Sequence, residues 1–243
     1  MAGNQLGDLA DVHLDQATSH DEANHGRQDT PWRPHDLAYT PAVAQVGATK
    51  PIGPYERLSA EVHEWDPRTV EVAARVAELV RERRPDLTVE HIGSTAVPGL
   101  PGKGIVDLSI ETTPEDIPGV VAVLYELGFG PQPGADAWPM TRPMHVGAYS
   151  LDGEEFRVHL HVHPLGGDLA SDLRFRDALR ADKRLASAYA RVKQEIEDRA
   201  AGNGPLEGPI YQDAKGGWIT AAYDRLGIRR GTAPGADRTE VAE

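Results

Sequence analysis

The chain has 243 residues, with 38 acidic against 25 basic side chains and a formal net charge of −13. That balance argues against sequence-independent binding of duplex nucleic acid, which needs a basic footprint, and the absence of cysteine excludes disulfides and thiolate metal sites. No apolar run approaches the roughly 20 residues of a membrane span and no apolar signal core opens the chain, so we expect a soluble, cytoplasmic protein of one ordinary domain plus tails.

Residues 1–50 read as a mostly flexible N-terminal tail. Met1–Thr30 is rich in Asp, His, Gln, Asn and Gly without a sustained period. Such composition buries too little apolar surface to offset ordering entropy. His13, His20, His25 and His35 read as polar tail residues before they read as metal ligands; Trp32, Leu37 and Tyr39 are suited to docking on the domain. Asp66-Pro67 then resembles a helix start, an N-cap followed by proline in the first turn. Val70, Ala73, Ala74, Ala77, Leu79 and Val80 give a helical stripe to about Arg84, and Pro85 ends it. Thr88–Ile92 is a short strand that delivers Gly93-Ser94. Ile105–Glu111 is a strand with β-branched residues in alternation. Pro114–Leu127 is a helix with Gly128 as its C-cap. Met144–Ser150 and Glu155–His163 flank Asp152-Gly153, a strong hairpin signal. Asp168–Arg180 and Asp182–Arg199 read as helices, Gly202-Asn203-Gly204-Pro205 as a break, and Tyr211–Leu226 as a last amphipathic helix. Residues 230–243 mix Gly, Pro, Ala and charge and read as a flexible C-terminal tail. Helices mixed with hairpin-linked strands predict an α/β (α+β) fold with a mixed sheet flanked by helices over residues 51–229.

The chemistry concentrates between His91 and Glu111. Glycine has no Cβ, so backbone N–H groups in a Gly93-Ser94 turn can approach phosphate oxygens closely. An ordinary strand-to-helix turn satisfies the same residues without a ligand. Lys103 can neutralise phosphate as a point cation, or can be a solvated loop lysine. Asp107 lies between Val106 and Leu108, and a carboxylate buried there is costly unless a cation or donors meet it. Ser109 returns to the same face two residues on but is a weak metal ligand. Glu111 lies roughly 13 Å from Asp107 along the strand, too far to share one ion directly. In the strand Arg157–His163, imidazoles alternate, so His159, His161 and His163 share a face. Two such imidazoles can bind zinc, serve as general base, bind phosphate, or form a structural pair at the sheet. Arg176 and Arg180, four apart on a helix, share a face that is either solvated or turned to a substrate.

His91-Ile92-Gly93-Ser94-Thr95-Ala96-Val97-Pro98-Gly99-Leu100, with Lys103 and the Val106-Asp107-Leu108 strand after it, resembles the signature of the GrpB family. Arg142, His159-Leu160-His161-Val162, Phe175–Arg180, Tyr189, Lys193, Tyr211 and Lys215 follow in that family's order. The resemblance covers roughly residues 52–228. It implies a nucleotidyltransferase-superfamily fold and, with it, a nucleoside triphosphate such as ATP, Mg²⁺ and a small-molecule acceptor as partners. The implied site has Asp107, His159 and His161 as catalytic residues. Gly93, Ser94, Thr95, Lys103, Arg142, Arg176, Arg180 and Lys215 would contact phosphate, and Asp107 and His161 would hold metal. That superfamily carries a second carboxylate where this chain has Ser109. The expected function is therefore a Mg²⁺-dependent nucleotidyltransferase, with an adenylating ligase as one form of it. A non-catalytic nucleotide-binding module and a histidine-metal hydrolase are the alternatives.

Overall fold

The computed structural model describes residues 50–56, 61–132, 139–203 and 208–230. Helix α1 (Arg68–Arg83) leads to β1 (Val89–Ile92), a 3₁₀ turn (Ser94–Ala96) and β2 (Val106–Thr112). A second 3₁₀ turn runs into α2 (Ile117–Leu127), followed by β3 (Gly130–Pro131), β4 (Met144–Leu151) and β5 (Glu154–Pro164). Helices α3 (Leu169–Ala181), α4 (Lys183–Asn203) and α5 (Gly208–Leu226) complete the described chain. The five strands form one mixed sheet in the order β1-β2-β5-β4-β3. Only the central β2–β5 pair is parallel. This is the mixed α+β architecture that the alternating pattern predicts. The two expected tails, with their histidines and Trp32, lie outside the described residues apart from Lys50 and Arg230.

Local chemistry explains the boundaries. Asp66 Oδ1 accepts from the Arg68 N–H at 2.8 Å, and the Thr69 hydroxyl donates to the Asp66 carbonyl at 2.6 Å. The first bond satisfies a backbone donor that the first turn of a helix leaves unpaired, and the second ties the Thr69 side chain back to the same turn. Gly128 ends α2 at φ +114°, with its Cα against the Ile52 carbonyl, where any side chain would collide. Asp152 and Gly153 both have positive φ, 52° and 82°, the pair of values that a two-residue hairpin turn requires.

The buried face of α1 differs from the expected stripe. Thr69, Val72, Ala73, Val76, Ala77 and Val80 are buried, while Val70 is 47% exposed and Ala74 is exposed. The helix is rich in Val and Ala along more than one line, so its content left the phase open. α4 also runs on through Gly202 and Asn203, into the expected break, and ends within it. A glycine costs a helix only about 1 kcal/mol, which neighbouring turns can absorb.

Two apolar cores result. On one face of the sheet, Val106, Leu108 and Ile110 of β2 and Val158, Leu160 and Val162 of β5 pack beneath α1 and α2. A separate cluster joins Phe175, Leu179, Tyr189, Val192, Trp218 and Tyr223 of α3–α5 to Val97 and Leu100 of the loop after β1. The other face of β2 and β5 carries the polar residues.

Candidate active site

Parallel register sets the site. Asp107 stands opposite His159, and Ser109 opposite His161. Alternation therefore gathers Asp107, Ser109 and Glu111 with His159, His161 and His163 on one face. Asp107 Oδ1 lies 3.5 Å from His159 Nδ1 and 3.6 Å from His161 Nε2. Donor atoms of these three residues all fall within 4.8 Å of one another. Burial by itself would raise the Asp107 carboxyl, but hydrogen bonding and charge from His159 and His161 hold it well below the usual carboxylate range. The Tyr55 hydroxyl meets His159 Nε2 at 3.1 Å and so leaves Nδ1 directed at Asp107.

Gly93 brings the turn against this carboxylate. Its φ is +73°, and a Cβ built there would sit 2.4 Å from Asp107 Oδ2. Both the backbone conformation and the space demand glycine. Four ties hold the turn. The Thr95 hydroxyl donates to the Ile105 carbonyl at 3.0 Å, which leaves its oxygen to accept from His91 Nε2–H, also at 3.0 Å. Trp65 Nε1 donates to the Thr95 carbonyl at 2.9 Å. Arg176 donates to the His91 carbonyl at 3.0 Å and Arg180 to the Ala96 carbonyl at 2.8 Å. Burial pushes the His91 imidazole down to about 4, with Arg180 and Arg176 adding to the shift and Asp107 opposing it. His91 is therefore neutral at pH 7, in the tautomer that carries its proton on Nε2 and donates it to Thr95.

Residues 57–225 match the family model described as GrpB protein. The chain belongs to the GrpB family. It is 32% identical over 186 residues to a UPF0157 protein of Streptomyces coelicolor, a match covering 74% of this chain and 90% of that protein. Among solved structures, it is similar to the conserved protein GrpB from Enterococcus faecalis, with 20% identity and a TM-score of 0.47 over 67% of this chain and 99% of that one. It is also similar to the Cid1 poly(U) polymerase bound to Mg 3'-dATP, with 14% identity and a TM-score of 0.42 over 67% of this chain and 51% of that one.

The structure sorts the residues that the sequence proposed for this GrpB-family site. Asp107, His159 and His161 come together, with Gly93 against them. Ser94 lies beside Gly102, where a Cβ would sit 2.4 Å from the Ser94 hydroxyl and 3.5 Å from Lys193 Nζ. Lys193 is 3% exposed, donates to the Pro101 carbonyl and lies 4.8 Å from the Tyr189 ring centroid. Lys103 is half-buried in the loop before β2, and its carbonyl accepts from Arg157 at 2.8 Å, which ties that loop to β5. Three expected phosphate contacts are used differently. The Thr95 hydroxyl and the guanidinium groups of Arg176 and Arg180 hold the turn itself, each donating to a backbone carbonyl. Arg142 is drawn away to an ion pair with Asp168 at 3.4 Å. Its neighbour Pro143 accepts from Val162, well along β5 from His159. Lys215 falls on α5, and its side chain lies outside the described residues.

Sequence reasoning missed Asp172, Tyr55 and Trp65. Asp172 projects from α3 and accepts from the Tyr223 hydroxyl at 3.2 Å. Burial raises its carboxyl to about 6, Asp168 and Asp107 push the same way, and His161 opposes them. The buried atoms Ser109 Oγ and His163 Nε2, on the polar face of β2 and β5, make no hydrogen bond among the described residues. Only the acidic residue in the first turn of α3 marked Asp172 in the sequence. Tyr55 and Trp65 meet the site across long stretches of chain, which no local pattern encodes.

Proposed function

We propose that the chain binds a nucleoside triphosphate at the Gly93–Thr95 turn and acts as a nucleotidyltransferase-like enzyme on a small acceptor. The observation that carries this reading is the contact of Gly93 with Asp107. A glycine in the left-handed region places backbone and carboxylate against one point, where a phosphate and its counter-cation would meet. Ser94 and the buried Lys193 extend the polar lining away from Asp107, and membership of the GrpB family, whose signature the sequence analysis relates to nucleotidyltransferases, supports the same class. In this scheme the turn binds and orients phosphate, with its geometry preset by Thr95, Trp65, Arg176 and Arg180. His161 or His159 would accept the proton of an attacking acceptor hydroxyl, and pyrophosphate would leave; a carboxylate acceptor attacks already ionised and needs no base. Transfer onto a carboxylate would make the protein an adenylating ligase. A cytoplasmic location and the absence of duplex nucleic acid among its partners belong to the same reading. Among the described residues no helix is long and apolar enough to cross a membrane.

Mg²⁺, which the resemblance implies, prefers octahedral oxygen ligation, commonly from one or two carboxylates and phosphates. Here it would find one carboxylate, two imidazoles and a serine, a poor match. We therefore draw no step through that ion. Ser109 in the second-carboxylate position also favours a second reading, a nucleotide-binding module without turnover.

Calorimetric titration with ATP and GTP, with and without divalent cation, tests the binding claim. Asp107→Asn is expected to weaken cation-dependent nucleotide affinity at least tenfold, about 1.4 kcal/mol. An unchanged isotherm in the folded variant removes Asp107 from the site. Pyrophosphate release then separates the enzyme from the module.

A further inference from the structure

We propose that Asp107, His159 and His161 form a three-ligand centre for an imidazole-preferring transition-metal dication, of which Zn²⁺ is the type, with an open coordination position toward Gly93. The proposal replaces the cation of the reading above and, because a metal-bound imidazole nitrogen cannot take up a proton, also its histidine base. It rests on that site but does not depend on nucleotide.

Three observations carry it. The first is the donor set. Imidazole suits zinc, iron, nickel and copper, whereas magnesium and calcium take carboxylate, carbonyl and water. Two nitrogens and one carboxylate oxygen, three protein ligands in all, are the composition of catalytic zinc sites that leave a fourth position for water or substrate. The second is spacing. Ligands at about 2.0–2.1 Å from a tetrahedral ion lie roughly 3.3 Å apart, against roughly 2.9 Å for neighbours around an octahedral one. The distances from Asp107 Oδ1 to the two imidazole nitrogens, 3.5 and 3.6 Å, are close to the tetrahedral edge. They are also longer than a good charge-assisted hydrogen bond, which closes to about 2.7–2.9 Å.

The third observation is the outer partner. A metal-bound histidine usually donates its remaining ring N–H to an oxygen, which fixes the tautomer. His159 meets the Tyr55 hydroxyl through Nε2 at 3.1 Å, so Nδ1 is the nitrogen presented to Asp107. A phenol both donates and accepts. Tyr55 therefore stays hydrogen-bonded whether His159 carries its proton on Nδ1, toward Asp107, or on Nε2 with a metal at Nδ1. The charge count fits as well. One carboxylate and two neutral imidazoles leave a dication with net charge +1, which would favour an anionic ligand at the open position.

Titrating Co²⁺ into the full-length, metal-free protein, without nucleotide, tests the proposal through the visible d–d absorption of a low-coordinate cobalt centre. We expect one saturable equivalent that Zn²⁺ displaces and a hundredfold excess of Mg²⁺ does not. His161→Ala and Asp107→Asn should each abolish the band, with circular dichroism confirming the fold. Tyr55→Phe, which removes only the outer partner, should weaken cobalt binding by about 10- to 100-fold. Displacement by Mg²⁺ at matching concentration would overturn the proposal. So would a band of wild-type affinity in His161→Ala or Asp107→Asn, which would place the metal elsewhere, for example on the histidines of the tail. Should His161→Ala unfold, Tyr55→Phe decides: unchanged cobalt affinity overturns the assignment. Metal affinity without ATP binding would sink only the nucleotide reading, and ATP binding without metal affinity only this one.

Discussion

The two faces of β2 and β5 are made of the same strands and have opposite characters. On one, Leu108, Ile110, Leu160 and Val162 are fully buried beneath α1 and α2. On the other, one residue away in each case, stand Asp107, Ser109, His159 and His161, with α3 in contact with β2. The apolar face is closed by dispersion and water exclusion, and its side chains are interchangeable in kind if volume is kept. The polar face leaves Ser109 Oγ and His163 Nε2 without hydrogen bonds among the described residues. Such atoms cost stability. The fold thus draws its stability from one surface of a strand and spends some of it on the other.

Substitutions on the apolar face should separate stability from binding most strongly. Leu108→Ala is expected to destabilise the protein by about 2–5 kcal/mol through loss of buried methylenes and the cavity left behind. Nucleotide affinity per folded molecule should not change. A matching fall in affinity, measured by calorimetry below the unfolding transition, would show that the faces are not independent.

Acid tests one exception on the apolar side. His145 lies opposite Leu160, 3% exposed, and neither ring nitrogen has a hydrogen bond among the described residues. Burial lowers its pKa from 6.5 to about 4. Below pH 6.5 the unfolded chain takes up this proton and the folded chain does not, so stability is lost as pH falls from about 6.5 toward 4. The loss assigned to this group is about 3 kcal/mol. Chemical denaturation at a series of pH values should show the slope, and His145→Phe should flatten it. An unaltered slope in the variant would assign the acid sensitivity elsewhere.

Gly93→Ala joins the two effects at one position. The backbone at φ +73°, ψ −170° lies in a region used almost only by glycine and costs an L-residue about 1–3 kcal/mol, and the new Cβ, 2.4 Å from Asp107 Oδ2, would displace that carboxylate. Thermal melts should therefore fall modestly and ATP binding should fall more than the melts explain. A variant that binds normally would show that the turn and carboxylate do not meet the same ligand.

The smallest effect runs the other way. Asp172 has its carboxyl raised from 3.8 to about 6. The folded chain holds this proton more tightly than the unfolded one, so its contribution is complete below about pH 4 and is lost as pH rises through 6. Asn keeps an acceptor for Tyr223 and removes the buried charge. Asp172→Asn is expected to gain about 1 kcal/mol at pH 7 and nothing at pH 4. A loss at pH 7 would mean that the carboxylate is held by a partner on the polar face.

How much of this was readable in the sequence depended on distance along the chain. Asp152-Gly153 announced the hairpin because positive φ at two successive residues is a local requirement. Asp66-Pro67 announced α1 for the same kind of reason. The phase of α1 was missed because Val70, Val72 and Val76 are equally apolar and only the sheet decides which are covered. The Asp107–His159–His161 cluster was half-legible. Alternation put the histidines on one face, while their approach to Asp107 needed the parallel register. The charges of Arg176 and Arg180 were legible, but their carbonyl acceptors at His91 and Ala96 lie 85 and 84 residues away and leave no local mark.

Two of the ties that brace the Gly93 turn, with two further contacts near it, also set an order of events during folding. Arg176 reaches back 85 residues to His91 and Arg180 84 to Ala96, Lys193 reaches 92 to Pro101, and Tyr55 waits 104 for His159. Contacts of such separation form late, because loop closure must precede them. A chain emerging from synthesis can build α1, β1 and β2 long before it can brace the turn. The turn reaches its braced form only when α3 has arrived, and Lys193 of α4 meets Pro101 after that.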